Sequence, residues 1–231
     1  MILYEGTIER FNEDVMQNCI ADRAAEKYQI HYKRPPNPSE YRSWAISLAI
    51  LNNSFRYADL KDNYILVEYE LPYSSKRIDV MLFGNKNEGE ENVVILELKQ
   101  WSNDKIRDAN SDGNVIVDYG KKLSEEPHPS LQVEGYFLHL KDFLEIFNET
   151  NSPELNAAVY AHNYSKLNEN KILYSNKFSE ALKRFPLFSK EDSLELANYL
   201  KEKLNGGKGQ LLFERFNASR IKPSRKLIEH T

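Results

Sequence analysis

Apolar positions along this chain fall into short runs with β-strand period, set between longer stretches with helical period. Tyr64–Leu71, rich in β-branched and aromatic residues, predicts a strand. Lys76–Phe83 and Asn92–Lys99 predict a hairpin across the polar turn Gly84-Asn-Lys-Asn-Glu-Gly89. Within it Val93–Leu98 is almost continuously apolar, as a central strand covered on both faces would be. Asn114–Asp118 and Leu155–Ala161 predict two further strands. Polar residues with scattered aliphatics predict one helix over Thr7–Lys27, followed by Arg34-Pro-Pro-Asn-Pro-Ser39, which cannot be helix interior. Trp44, Leu48 and Leu51 recur at helical spacing and predict a helix over Glu40–Asn53 with Ser39 as its N-cap. Pro127-His-Pro-Ser130 launches an amphipathic helix over Leu131–Phe147. Helices over Ser175–Phe185 and Lys190–Leu204 complete the series, the last closed by Asn205-Gly-Gly. This order implies an α/β fold, a mixed β-sheet flanked by α-helices. No repeat or low-complexity linker interrupts it, so 1–231 reads as one domain, with a core over about 39–165 and a helical C-terminal extension over about 166–231.

Composition narrows the class without deciding it. The 231 residues are 41% hydrophobic and 29% charged, which suits a water-soluble chain with a substantial core. No apolar run reaches the length of a membrane span, and Met-Ile-Leu-Tyr-Glu-Gly lacks the basic-then-apolar order of an export signal. The lone Cys19 excludes an intramolecular disulfide and a cysteine zinc site. Together these point to the cytoplasm and away from a membrane. A net charge of −4 does not mark a nucleic-acid binder, yet phosphate contacts need only local basic residues. Such groups occur at Lys33-Arg34, at Lys183-Arg184 and over Arg215, Arg220, Lys222 and Arg225-Lys226. Solvated surface charge is the better reading of any one of them taken alone. The chain ends within what reads as a helix, which suggests a piece of a longer protein.

The chemistry resides where charge interrupts the hairpin. Alternation places Arg77, Asp79, Met81 and Phe83 on one face of their strand and Ile78, Val80 and Leu82 on the other. Ile95, Glu97 and Lys99 likewise share a face. If Phe83 lies opposite Val93, Asp79 lies opposite Glu97, with Cβ atoms about 5 Å apart. Two facing carboxylates repel unless something positive lies between them, and a hard divalent cation suits that place. Lys99 can then orient a water against phosphorus and stabilise charge on the phosphate. A Glu-x-Lys ion pair on a solvated hairpin is the plain alternative, but charge at the end of a buried strand costs desolvation unless a partner is supplied.

Asp79 with Glu97-Leu-Lys99 resembles the signature of the PD-(D/E)xK nuclease superfamily, with Ile78-Asp79 in place of proline-aspartate. Gln132-Val-Glu-Gly-Tyr136 is similar to the Gln-x-x-x-Tyr element of its RecB-like branch, and the two residues share one helix face. Several landmarks also resemble the N-terminal domain of bacterial Schlafen-group, virus-type DNA/RNA helicases. They are Ser39-Glu-Tyr-Arg-Ser-Trp44, Arg77-Ile-Asp79, Glu97-Leu-Lys99, His128-Pro-Ser-Leu-Gln132 and Ile221-Lys-Pro-Ser-Arg-Lys226. The resemblance implies a restriction-endonuclease-like sheet and a Mg²⁺- or Mn²⁺-dependent nuclease. In it Asp79, Glu97 and the Leu98 carbonyl hold the metal and Lys99 assists the attacking water. Gln132 and Tyr136 support the site and the bound strand. Glu40 is the candidate for the superfamily's acidic residue on the first core helix, although in a first turn it can simply complement the helix dipole.

Arg77, Tyr73 and His128 are candidate contacts to the substrate backbone, Arg77 alternatively pairing with Asp79. Trp101 is a candidate base-stacker or a core aromatic, and Asp118 a reserve metal ligand. The expected partner is nucleic acid, DNA in preference to RNA, in defence or repair. In the resembling proteins a helicase motor follows; here Asn205-Gly-Gly-Lys-Gly-Gln210 lacks the spacing of a phosphate-binding P-loop. A non-catalytic nucleic-acid-binding or coupling module of a helicase is the alternative of a different class.

Overall fold

The computed structural model describes residues 1–87 and 89–222. Arg225-Lys226 and most of the Ile221–Lys226 landmark lie outside the described residues, as does Glu88 in the expected hairpin turn. In chain order the elements are β1 (Tyr4–Thr7), α1 (Ile8–Met16), α2 (Ile20–Tyr32), α3 (Pro38–Tyr57), β2 (Tyr64–Glu70), β3 (Arg77–Lys86) and β4 (Glu90–Lys99). Then follow β5 (Ile106–Asp108), β6 (Asn114–Asp118), β7 (Leu123–Pro127), α4 (Pro129–Phe143), β8 (Glu154–Ala161), α5 (Ser179–Arg184), β9 (Leu187–Ser189), α6 (Ser193–Leu204) and α7 (Gly209–Asn217). The mixed α/β class is as the sequence implied.

The main sheet has six strands in the order β1-β2-β3-β4-β8-β9. Its first four run antiparallel, and β8 and β9 join parallel to β4. A parallel neighbour requires a crossover, and here the chain between β4 and β8 contains the small sheet β5-β6-β7 and then α4. Val93, Val94, Ile95 and Leu96 of β4 have no exposure, because both faces of the sheet are covered. On one side Met81, Phe83, Val93 and Ile95 pack with Val133 and Leu140 of α4 and Leu212 and Phe216 of α7. On the other Val80, Leu82, Val94 and Leu96 pack with Leu48, Leu51 and Phe55 of α3 and Leu200 and Leu204 of α6.

Several expectations change. The single helix over Thr7–Lys27 is a strand and two helices, with Asn18 in a left-handed turn (φ 55) between α1 and α2. The cap of α3 is Asn37 rather than Ser39: its side chain accepts the Glu40 N–H at 2.8 Å, and Pro38 opens the helix, where a missing N–H costs nothing. Strand β3 runs further than expected, since Gly84 to Lys86 continue it and pair with Asn92 to Glu90. The segment after residue 166 is no mere helical extension, for β9 pairs with β8 and α6 and α7 complete both apolar layers. Strict alternation also fails in β3, where Ile78 packs in the layer of Met81 and Phe83. The disruption lies beside Glu68 of β2, whose φ of 57 is left-handed and which the β2–β3 pairing passes over.

Gly209 shows how closely α7 is docked. A Cβ there would run into the backbone of Tyr64 and Phe83, atoms that no side-chain movement can clear. Gly209→Ala is therefore expected to cost roughly 1–3 kcal/mol in a urea or thermal unfolding experiment. An unchanged midpoint would mean that α7 does not lie against β2 and β3.

Candidate active site

The paired register of β3 and β4 includes Phe83↔Val93 and stops at Val80↔Leu96. One step further it would set Asp79 opposite Glu97. There the ladder gives way, and Asp79 Oδ2 accepts the backbone N–H of Leu98 at 2.7 Å. The parting of the strands opens a cleft of about 900 Å³ between the first turns of α3, the ends of β3 and β4, α4 and the β6–β7 turn.

Glu97 and Lys99 project toward α4. Lys99 Nζ donates to Glu97 Oε1 at 2.6 Å and to Gln132 Oε1 at 2.9 Å. Gln132 Nε2 donates to Glu97 Oε1 at 2.8 Å and to the Tyr136 hydroxyl at 2.6 Å. The helical spacing of Gln132 and Tyr136 thus brings both to the strand end, and the amide bridges carboxylate and ammonium. Lys99 Nζ also lies 4.7 Å from the centre of the Trp101 ring, a cation–π contact. Glu97 Oε2, by contrast, is buried with no hydrogen-bond partner among the described residues. An orphaned carboxylate oxygen in such a place is costly unless a ligand supplies what the protein does not.

Electrostatics mark the same spot. Burial, then the carboxylates of Glu97 and Glu68, push the Asp79 carboxyl well above the usual range, against the pull of Lys99 and the Leu98 N–H. Burial works to lower the Lys99 ammonium, but Glu97 and Asp79 outweigh it and hold the pKa above its usual value. Burial, aided by Glu97, also raises the Tyr136 phenol, which stays neutral as a donor or acceptor. A positive group among Asp79, Glu97 and Glu68 would relieve this crowding.

Glu40 and Arg77 also line the cleft, but joined to each other and not to Asp79. Arg77 Nη2 donates to Glu40 Oε1 at 2.6 Å, and Arg77 Nε lies 3.2 Å from Glu68 Oε2. Glu68 also accepts a hydrogen bond from Trp44 Nε1, at 2.8 Å. Leu98 lines the cleft through its strand. Asp118 lies at the rim, 3.6 Å from Arg107, and accepts the Gly120 N–H at 2.7 Å.

Two expected substrate contacts lie elsewhere. Tyr73 is 77% exposed in a left-handed turn (φ 54), its ring against Phe143 and outside the cleft. His128 is fully buried: its Nδ1 accepts the Ser130 N–H as the cap of α4, its Nε2 bonds the Leu173 carbonyl at 3.0 Å, and its ring stacks on Phe178. No phosphate can reach it. The basic groups at Lys183-Arg184 and Arg215 are spent on Glu180, Glu134, Glu91 and Glu149. Of the Lys33-Arg34 pair, Arg34 reaches the cleft wall.

Burial lowers the His128 pKa from 6.5 to about 4, only partly offset by the Leu173 carbonyl. The folded state therefore resists its protonation. Its contribution to stability is complete above about pH 6.5 and is lost as pH falls through about 4, a total on the order of 3 kcal/mol. Wild type is expected to lose more melting temperature between about pH 7.5 and about pH 4.5 than His128→Asn, which keeps a capping oxygen without the proton. Equal losses would refute that source of acid sensitivity.

Sequence reasoning overlooked Glu68, Trp44 as its donor, and Gln100, whose amide donates to Ser47 Oγ at 2.8 Å and ties the end of β4 to α3. Glu68 carried a readable signal, a carboxylate inside an apolar strand run, the same oddity that singled out Asp79. Among the described residues no group of three or more His, Cys, Asp and Glu side chains stands ready to hold a metal. No helix among them is long and apolar enough to cross a membrane. Comparison of the chain with protein-family models, curated proteins and solved structures returned no match.

Proposed function

We propose that this chain is a divalent-metal-dependent nuclease that hydrolyses phosphodiester bonds of nucleic acid, DNA in preference to RNA, in the cytoplasm. The observation that carries the reading is the buried Glu97 Oε2, without a partner among the described residues, beside an Asp79 whose ionisation is opposed by its neighbours. Mg²⁺ takes one or two carboxylates and completes its shell with water and substrate oxygens, so this pair fits it without a third acidic ligand. Asp79 and Glu97, with the Leu98 carbonyl, are the groups to hold Mg²⁺ or Mn²⁺. Once bound, such an ion polarises the phosphate and makes a nearby water more acidic.

Lys99 is kept charged by Glu97 and Asp79 and oriented by Gln132, which suits it to hold the attacking water and offset charge on the phosphorane. Gln132 and Tyr136 act through that orientation. Arg77, a candidate backbone contact, lies on the cleft wall with its charge compensated by Glu40 and Glu68, so it braces that wall and would meet a substrate phosphate only by exchanging one of those partners. The arrangement agrees with the resemblance to the RecB-like PD-(D/E)xK nucleases, and a helicase motor acting alongside remains part of the proposal.

The test is incubation of single- and double-stranded DNA and RNA with the purified chain plus Mg²⁺ or Mn²⁺. Cleavage that stops on addition of a chelator supports the reading. Tight binding without cleavage in either metal would replace it with a nucleic-acid-binding or coupling module.

A further inference from the structure

We propose that the cleft takes an unpaired strand, and that Tyr119 is the platform on which one of its bases stacks. The inference rests on the nuclease reading for the location of the strand, but its observations are separate from the carboxylates. Among the described aromatic side chains of the cleft, Tyr28, Trp44 and Tyr136 are buried and Trp101 already carries the Lys99 ammonium on its ring. Tyr119 differs: it is 55% exposed yet lines the same cleft.

Its backbone is held in place. Asp118 Oδ1 accepts the Gly120 N–H at 2.7 Å, Tyr119 N–H donates to the Lys122 carbonyl at 3.0 Å, and Gly120 (φ +83) permits the tight turn. A ring shown on a fixed turn loses little freedom when a ligand covers it. Lys121 and Lys122, on the same tip, are exposed and form no ion pair among the described residues. They supply positive charge for the sugar-phosphate chain. A base inside a duplex has both faces covered by its neighbours, so an exposed ring at a strand-binding cleft serves an unpaired base. Tyr119 and Lys99 line the same cleft, so a base on the Tyr119 ring would belong to the strand that passes Lys99.

The experiment is fluorescence anisotropy in excess chelator, where neither metal nor cleavage is needed. Labelled oligothymidylate and oligouridylate single strands and a hairpin duplex are titrated with wild type, Tyr119→Ala and Tyr119→Phe. The expected result is single-strand affinity lowered about tenfold by alanine and kept within about twofold by phenylalanine, with duplex affinity little changed. Tyr119 is exposed, so melting temperatures should coincide and exclude misfolding as the cause. Unaltered single-strand binding by the alanine variant would overturn the inference. So would an equal loss with phenylalanine, a parallel loss on the duplex, or no single-strand binding by wild type. Ring-dependent binding without metal-dependent cleavage keeps this inference and removes the nuclease reading. Cleavage with single-strand affinity indifferent to Tyr119 does the reverse.

Discussion

Replacing Asp79 with asparagine is expected to abolish metal-dependent cleavage and, at the same time, to raise the melting temperature of the metal-free protein. The two effects have one cause. Burial beside Glu97 and Glu68 makes the ionised Asp79 carboxylate unfavourable, which is why its pKa lies well above the ordinary value. A carboxyl with a raised folded pKa costs stability at every pH above its unfolded value of about 3.8, since the unfolded chain ionises more readily. Asparagine removes that cost yet keeps an oxygen for the Leu98 N–H. It also removes the charge that would hold a cation, and cleavage should fall by roughly a thousandfold or more, about 4 kcal/mol of barrier.

This pairing separates the proposal from a structural role. A carboxylate retained only for packing or hydrogen bonding would, when changed to asparagine, leave stability unchanged or lower it. Metal dependence adds a third reading of the same variant. Because a ligating carboxylate must lose its proton, the wild-type requirement for Mg²⁺ should ease as pH rises through the elevated Asp79 pKa. Unimpaired cleavage by Asp79→Asn would sink the assignment, and a lowered melting temperature would remove the argument from like-charge crowding.

What the sequence disclosed followed from the strongest local signals. Val93–Leu98 read as a doubly covered strand, and its partner's apolar residues set Phe83 opposite Val93, which brings Asp79 and Glu97 to the same end of the hairpin although the ladder itself stops at Val80 and Leu96. Helical spacing alone brought Gln132 and Tyr136 to one face, and that face meets Lys99. Elements with weak local signals were hidden. Strand β9 has three residues, and β7 (Leu-Ser-Glu-Glu-Pro) carries no apolar alternation because it lies half in solvent. His128 between two prolines reads as a loop residue, and only the fold shows that Phe178 and the Leu173 carbonyl enclose it. The left-handed Glu68 is of the same kind, since nothing local favours that conformation for a glutamate.

Removal of that side chain is the change expected to cost most in stability. In Glu68→Ala, Trp44 Nε1 and Arg77 Nε both lose their acceptor in a buried setting, while the substituted alanine would still have to adopt a φ of 57. Arg77 keeps Glu40 as its partner, but its Nη1 already lacks one, so the guanidinium would be left badly under-compensated. Breaking a buried charge pair by deleting one member costs about 3–5 kcal/mol, or very roughly 6–20 °C of melting temperature at this chain length. Glu68→Gln preserves the Trp44 acceptor and the side-chain volume and should lose much less. It should also lessen the crowding at Asp79 and so lower that pKa, because Glu68 is one of the carboxylates that raise it. A thermal unfolding series of wild type, Glu68→Gln and Glu68→Ala reads the order directly. If alanine proves no worse than glutamine, the Trp44–Glu68–Arg77–Glu40 chain does not brace the wall of the cleft.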